Sequence, residues 1–302
     1  MKKRNILVLV NEAKDEKLIV TNEVISFLEK NNCNVFLENE LISKINRGSE
    51  IQDSTEIDFA LVLGGDGTLL NKLHRYVDKD YAYFGINLGR VGCLTEATRT
   101  NYPEKLTSIF NDNYFVENRN TLEYVVKNSE NDIHKGIAFN EVSIERGKLF
   151  KMLLINMYVN GNNKTSFYAD GVIVATSTGS SAFSLSSGGP LLLPNAKNFV
   201  VTPLCPQLRN ITSLVVNDTD IVSIDISDPN QRQTYHEHKP IVVIDGRTMI
   251  EIDENSKLVI QKSPKYLKIL KVNGQGSLFE PTFKVAMSNQ NLFNEWKKWK
   301  GS

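Results

Sequence analysis

Ile57-Asp-Phe-Ala-Leu-Val-Leu63, running into Gly64-Gly65-Asp66-Gly67-Thr68, is the stretch on which the fold turns. A nearly unbroken apolar run is what a strand buried on both faces needs. Three glycines in four positions then let the backbone turn tightly and bring its N–H groups close to a ligand. The residues from Leu69 to Val77 read as a helix opening directly after the turn. Ligands of open α/β sheets bind at the carboxyl ends of strands, and a helix start adds a positive partial charge suited to phosphate. Asp66 is then a carboxylate among phosphates, able to act as general base on a hydroxyl or to help hold Mg²⁺. A strand-to-helix turn with an Asp cap explains the same residues without chemistry, and the motif alone does not choose. It is neither a P-loop nor a GxGxxG turn.

Outward from this turn, the first hundred residues alternate strand and helix. Ile6 to Val10 and Tyr81 to Ile86 are apolar strand runs, Val35 to Leu37 is a short strand, and Asp15 to Asn31 carries a helical stripe of Leu18, Ile19, Val24, Ile25 and Leu28. That order predicts a doubly wound parallel sheet. Past about residue 115 the texture changes to short strand-like runs, among them 122–126, 139–144, 153–159, 173–176, 214–216, 221–226, 241–244 and 258–260. Asn160-Gly161, Asp170-Gly171 and Asp245-Gly246 punctuate them as turn signals. The expected class is α/β plus all-β: an N-terminal doubly wound domain over 1–115 and a C-terminal β-sandwich-like domain over 116–274. Residues 289–300 read as a helix, within a segment 275–302 that packs back on the first domain.

Lys plus Arg and Asp plus Glu both number 35, so the formal net charge is zero, against a general nucleic-acid binder. Lys297-Lys298-Trp299-Lys300 reads as a solvated tail. Cys33, Cys93 and Cys205 form no CxxC pair, which argues against a zinc site or a disulfide framework and for a reducing compartment. The opening Met1-Lys2-Lys3-Arg4 meets an apolar run too short for a signal core, and no run reaches the 18 apolar residues of a membrane span. A soluble cytoplasmic protein is expected.

Three further segments carry chemistry. Gly85-Ile-Asn-Leu-Gly89-Arg90-Val-Gly92-Cys-Leu-Thr-Glu96 is a second strand entering a glycine-rich turn. Asn140-Glu141 offers an amide for a base edge and a carboxylate for a ribose diol, although a lone dipeptide has no specificity. From Tyr168-Ala-Asp170-Gly171, a strand ends in the seven small residues Thr176 to Ala182, followed by Phe183-Ser184-Leu185-Ser186-Ser187-Gly188-Gly189-Pro190. Small side chains let a flat nucleotide approach the backbone, and the hydroxyls supply donors. A Ser-rich linker is the plain alternative, opposed by the flanking apolar residues. No G-x-S-x-G elbow supports a serine nucleophile. His236 and His238, flanking Glu237, read as a solvated loop rather than a metal site.

Together these segments resemble the NAD kinase family over most of the chain. The similarity lies in Gly64 to Thr68, Asn87 to Thr95, Asn140-Glu141, Asp170 to Pro190, Pro203-Leu-Cys205-Pro206 and Asp245-Gly246. The first motif is shared with phosphofructokinases and lipid kinases; the ordered set is far more specific. The resemblance implies transfer of the γ-phosphoryl group of ATP, with Mg²⁺, to the 2′-hydroxyl of the adenosine ribose of NAD. It places Asp66 at the reacting hydroxyl, and Gly65, Gly67 and Thr68 along the phosphates. Asn140 and Glu141 would bind the NAD nucleosides. Asp170, Thr178, Ser181, Ala182, Phe183 and Ser186 would shape the NAD pocket, with Asp170 reaching a neighbouring subunit's site. It further implies a homodimer or homotetramer, and polyphosphate as a donor in some members. Ser177 stands where the family commonly has Pro, Phe183 where it has Tyr, and Gln207 to Asn210 depart from its usual pattern. Loss of Pro frees a φ angle, and loss of the phenol removes a hydrogen bond worth about 1 kcal/mol. A lipid kinase sharing the Gly-Gly-Asp-Gly-Thr turn and a non-catalytic NAD-binding regulator are the competing readings.

Overall fold

A computed structural model describes residues 3–89, 92–128, 132–149, 151–226 and 238–272. The sequence-expected helix at 289–300, the segment 275–302, Arg90, His236 and Glu237 lie outside these. The described chain forms two compact units, 3–118 with 267–272 and 119–266.

The first unit is a parallel sheet with helices. Its elements are β1 (Asn5–Val10), α1 (Ile19–Lys30), β2 (Asn34–Leu37), α2 (Asn39–Ile45), β3 (Ser49–Glu50), β4 (Phe59–Gly64), α3 (Asp66–Arg75), β5 (Ala82–Asn87), β6 (Ala97–Thr98) and α4 (Tyr102–Phe110). The strand order is β5-β4-β1-β2-β3, all parallel. Strand residues sort by period two, as a sheet covered on both faces requires. Ile6, Val8, Leu61, Leu63 and Ile86 share one core with Val24, Ile25 and Leu28 of α1 and Leu106 and Ile109 of α4. Their alternates Leu7, Leu9, Ala60 and Val62 are equally buried but outside that cluster. Residue 15 starts no regular helix: Asp15 caps from outside, accepting from Val20 N at 3.0 Å and Thr21 N at 2.7 Å.

Because β1 is flanked by β2 on one side and β4 on the other, the strand order reverses beside it. The carboxyl ends of β1 and β4 therefore open a crevice, where doubly wound folds bind ligands. The chain returns to this unit late: Lys268 and Ile269 pair in parallel with Ala82 and Tyr83 of β5. There the Glu96 carboxylate takes Lys271 Nζ at 2.7 Å and Lys105 Nζ at 3.2 Å, all three side chains being about nine-tenths buried.

The second unit is two antiparallel sheets on one core. One has the order β14 (Leu214–Asn217), β13 (Asn198–Leu204), β12 (Gly171–Ala175), β9 (Glu141–Glu145), β16 (Ile241–Ile244), β17 (Thr248–Glu251). The other joins β11 (Asn163–Ala169), β10 (Leu153–Val159), β15 (Val222–Asp225) and the first part of β18 (Lys257–Val272). The later part of β7 (Tyr114–Lys127) pairs with β8 (Ile133–Ala138) and with β18. Val172, Val174, Phe199, Val242 and Ile244 of the first sheet meet Leu122, Ile155, Met157 and Leu258 of the second. This is the expected sandwich-like packing.

Two of the three turn signals are hairpins. Asn160, Gly161 and Asn162 join β10 to β11, and Asp245, Gly246 and Arg247 join β16 to β17, as three-residue loops whose first two residues have positive φ (54° and 78°, 48° and 63°). Asp170-Gly171 is different. It carries the chain from β11 in one sheet to β12 in the other, and a Cβ on Gly171 would stand 2.2 Å from the Ile144 carbonyl oxygen. The glycine is there for close strand approach, not for a hairpin.

Candidate active site

In the first unit, the turn after β4 sits beside the loop after β1. Asn11 ties them together: its N–H donates to the Leu63 carbonyl at 3.0 Å and its Nδ2 to Thr68 Oγ1 at 2.9 Å. Thr68 is buried, and its backbone N–H bonds the Gly65 carbonyl at 2.9 Å, so this residue builds the turn. Gly64 has no room for a side chain, since a Cβ would meet Thr68 Oγ1 at 2.5 Å. Gly67 faces open space, with nothing within 4 Å of a Cβ position. Lys14 Nζ lies 3.0 Å from the Cβ position of Gly65, bringing an exposed ammonium over the start of α3.

Asp66 is the first residue of α3, and the second glycine-rich segment holds its carboxylate. Oδ2 accepts from Cys93 N at 2.7 Å and Oδ1 from Leu94 N at 3.2 Å. Gly92 is required at this contact: a Cβ there would fall 2.1 Å from Asp66 Oδ1. Asn87 shapes the same segment, accepting from Gly89 N at 2.7 Å and donating to Thr95 Oγ1 at 3.1 Å. The two glycine-rich stretches are thus one device. Nothing in the sequence paired Asp66 with the backbone of 93–94, because the contact spans 27 residues.

In the second unit, the Asn140-Glu141 pair meets the Ser-rich segment. Thr176 N donates to the Asn140 carbonyl at 2.8 Å, and its hydroxyl to the Phe139 carbonyl at 2.9 Å. Gly179 N returns a bond to Thr176 Oγ1 at 2.9 Å. A Cβ on Gly179 would stand 2.1 Å from the Asn140 carbonyl oxygen, so the small residues serve backbone-to-backbone contact. Ser177 is buried and donates to the Pro194 carbonyl at 3.0 Å, which holds the turn without a proline. Ser181 Oγ bonds the Thr178 carbonyl at 3.1 Å, and Ser186 Oγ the Ala182 carbonyl at 3.5 Å. Phe183 is 40 % exposed.

Two buried polar atoms here have no hydrogen-bond partner among the described residues: Glu141 Oε2 and Thr178 Oγ1. Buried polar groups are ordinarily satisfied, so such atoms are candidates for a partner supplied by water or a ligand. Glu141 is 7 % exposed. Burial, followed by the negative charges of Asp245 and Glu145, pushes its carboxyl up to about 8. Asp170 is placed elsewhere: six residues of nearly extended chain, roughly 20 Å at about 3.3 Å per residue, separate it from Thr176, and its carboxylate pairs with Arg146 Nε at 3.3 Å. The residue to which sequence reading gave no role at the site is Asp245, whose carboxylate accepts from Phe139 N, Asn140 N and Glu141 N at 2.8, 2.7 and 2.9 Å.

Family models for the ATP-NAD kinase N-terminal domain and the ATP-NAD kinase C-terminal domain match residues 6–114 and 139–272. The chain belongs to the NAD kinase family. An NAD kinase of Thermoanaerobacter sp. is 34 % identical over 276 residues, covering 90 % of this chain and 94 % of the relative. One of Lachnoclostridium phytofermentans is 31 % identical over 273 residues, covering 90 % and 95 %. Among solved structures, an Archaeoglobus fulgidus NAD kinase in complex with ATP superposes with a TM-score of 0.71 at 25 % identity, covering 93 % of this chain and 98 % of that one. Yeast NADH kinase complexed with NADH has the same fold, with a TM-score of 0.83 at 20 % identity over 97 % and 88 % of the two chains. The activity is that of an NAD kinase, a phosphotransferase that moves the γ-phosphoryl group of ATP to the 2′-hydroxyl of the adenosine ribose of NAD. None of these matches supports a lipid kinase or a non-catalytic regulator.

Proposed function

We propose that Asp66 takes or orients the proton of the 2′-hydroxyl as its oxygen attacks the γ-phosphorus of ATP in line. The observation that carries this is the pair of N–H bonds from Cys93 and Leu94, which fix a part-exposed carboxylate at a helix start. A group so held loses little entropy on reaching its reactive position, and catalysis of phosphoryl transfer is mostly positioning and charge neutralisation. Gly65 and Gly67 give the ATP phosphates close access to the α3 N-terminus, and Lys14 adds a cation beside it. Thr68 supports them by closing the turn. Mg²⁺ arrives as part of the ATP substrate. Asp66 is the carboxylate that would join phosphates and water in holding it.

Asn140 and Glu141 bind the nucleosides of NAD, and Thr178, Ser181, Ala182, Phe183 and Ser186 line its pocket. The orphan oxygens of Glu141 and Thr178 support this reading. Asp170, at the far end of β12 from the Ser-rich turn, acts in the site of a neighbouring subunit within a homodimer or homotetramer. The protein works in the cytoplasm; no helix of the described residues is long and apolar enough to cross a membrane. The test is Asp66→Asn. The amide keeps the side-chain volume and one acceptor but cannot take a proton. The expected outcome is a loss of kcat of about 10²–10⁴-fold, with NAD binding retained by calorimetry. A kcat within threefold of the unaltered enzyme would remove Asp66 from the chemistry.

A further inference from the structure

We infer that Asp245 is a positioning residue for NAD recognition: it holds Asn140 and Glu141 in their binding geometry. The inference rests on the NAD-site reading above. Three consecutive backbone N–H groups, those of Phe139, Asn140 and Glu141, converge on one carboxylate at 2.8, 2.7 and 2.9 Å. Asp245 returns its own N–H to the Glu141 carbonyl at 3.0 Å, so the contact is closed in both directions. Phe139 and Asn140 link β8 to β9 and Glu141 opens β9, so these N–H groups lie where the ladder lapses or has only begun and would otherwise want partners. Asn160, at the matching place in the β10–β11 hairpin, makes the same closed contact with a single residue, Ile221: its N–H donates to that carbonyl at 2.8 Å and its Oδ1 accepts from that N–H at 2.9 Å. Asp245 extends the device to three successive N–H groups.

The second observation is Glu141 itself. Among the described residues its Oε2 is buried without a partner in a residue 7 % exposed, an arrangement that is costly unless a ligand completes it. An unsatisfied carboxyl is useful only if its backbone is held, because collapse onto a neighbour would satisfy it and abolish the site. Asp245 supplies that restraint on one side. On the other, the Thr176 N–H and hydroxyl bond the Asn140 and Phe139 carbonyls. The donors and acceptors of 139–141 are thus held separately, and the side chains of Asn140 and Glu141 are left for the ligand.

Asp245→Asn tests this. Asparagine tolerates the positive φ of 48° at this position, but its amide cannot accept at both oxygen positions and sets a donor against a donor. The expected result is a KM for NAD raised tenfold or more, with the KM for ATP within twofold. Ile250→Ala is the control, because it weakens the same hairpin from the core side without touching 139–141; it is expected to lower Tm and leave the KM for NAD within twofold. If Asp245→Asn does not fold, Asp245→Ser, which keeps one short acceptor, takes its place in the same comparison. An unmoved KM for NAD in the Asp245 variant, or an equal rise in Ile250→Ala, would overturn the assignment. Activity of the unaltered enzyme, measured first in the same assay, fails only if the NAD kinase reading fails.

Discussion

Glu141 shows what a single residue reports about its site. A carboxyl normally near 4.5 is pushed up to about 8, first by burial and then by Asp245 and Glu145. The folded chain therefore holds a proton that the unfolded chain releases. Stability is unaffected below about pH 4.5 and falls as pH rises toward 8, by at most about 1.4 kcal/mol per pH unit for this one group. Glu141→Gln carries no such proton. Its stability relative to the unaltered chain is expected to increase between pH 5 and pH 8, read from urea unfolding at each pH. A difference that stays constant across this range would show that Glu141 is ionised in the folded protein. On the proposed NAD-site reading, a ribose diol that donates hydrogen bonds to this carboxyl favours its charged form, so NAD binding near neutral pH is expected to release a proton.

At the scale of elements, the site depends on small residues at contacts between backbones. Gly179 is the clearest, since a methyl group there would stand 2.1 Å from the Asn140 carbonyl oxygen. Gly179→Ala is expected to destabilise by about 1–3 kcal/mol, as overpacking does, and to weaken NAD binding by displacing Asn140. Equilibrium unfolding and calorimetry check the two effects, and an alanine variant normal in both would refute this packing. The sequence made the Thr176 to Ala182 run visible as composition, and the strand before it as an apolar run. It did not show why the residues are small, because Asn140 lies 39 positions from Gly179. Strand β13 was illegible for a local reason: Pro203 argues against a strand interior. Its pairing with β14 ends at Val201, however, so Pro203 sits where that side of the strand has no ladder to complete. Asp66, Asn140 and Glu141 could be picked out as candidates because each belongs to a short motif. Asp245 was visible as a turn signal and as part of the family likeness, with no role attached, and its three bonds to 139–141 could not be read from its neighbours.

Over the whole chain, the fold class followed from the change of hydrophobic period near residue 115, and the return of the last described strand did not. Residues 267–272 lie far along the chain yet belong with the first unit, where Lys268 and Ile269 extend the parallel sheet and Lys271 enters the buried Glu96–Lys105 pair. Two ammonium groups on one carboxylate in a buried setting make Glu96 indispensable. Glu96→Ala leaves both uncompensated and is expected to cost about 3–5 kcal/mol, measured by urea unfolding; a loss under 1 kcal/mol would mean that water reaches the lysines. The catalytic reading meets its most direct test in product formation. Purified protein is given NAD, ATP and Mg²⁺, and NADP is detected with an NADP-specific dehydrogenase. The predicted result is NADP that appears only when both NAD and ATP are present. No NADP under these conditions, with NADH and polyphosphate also tried as substrates, would contradict it.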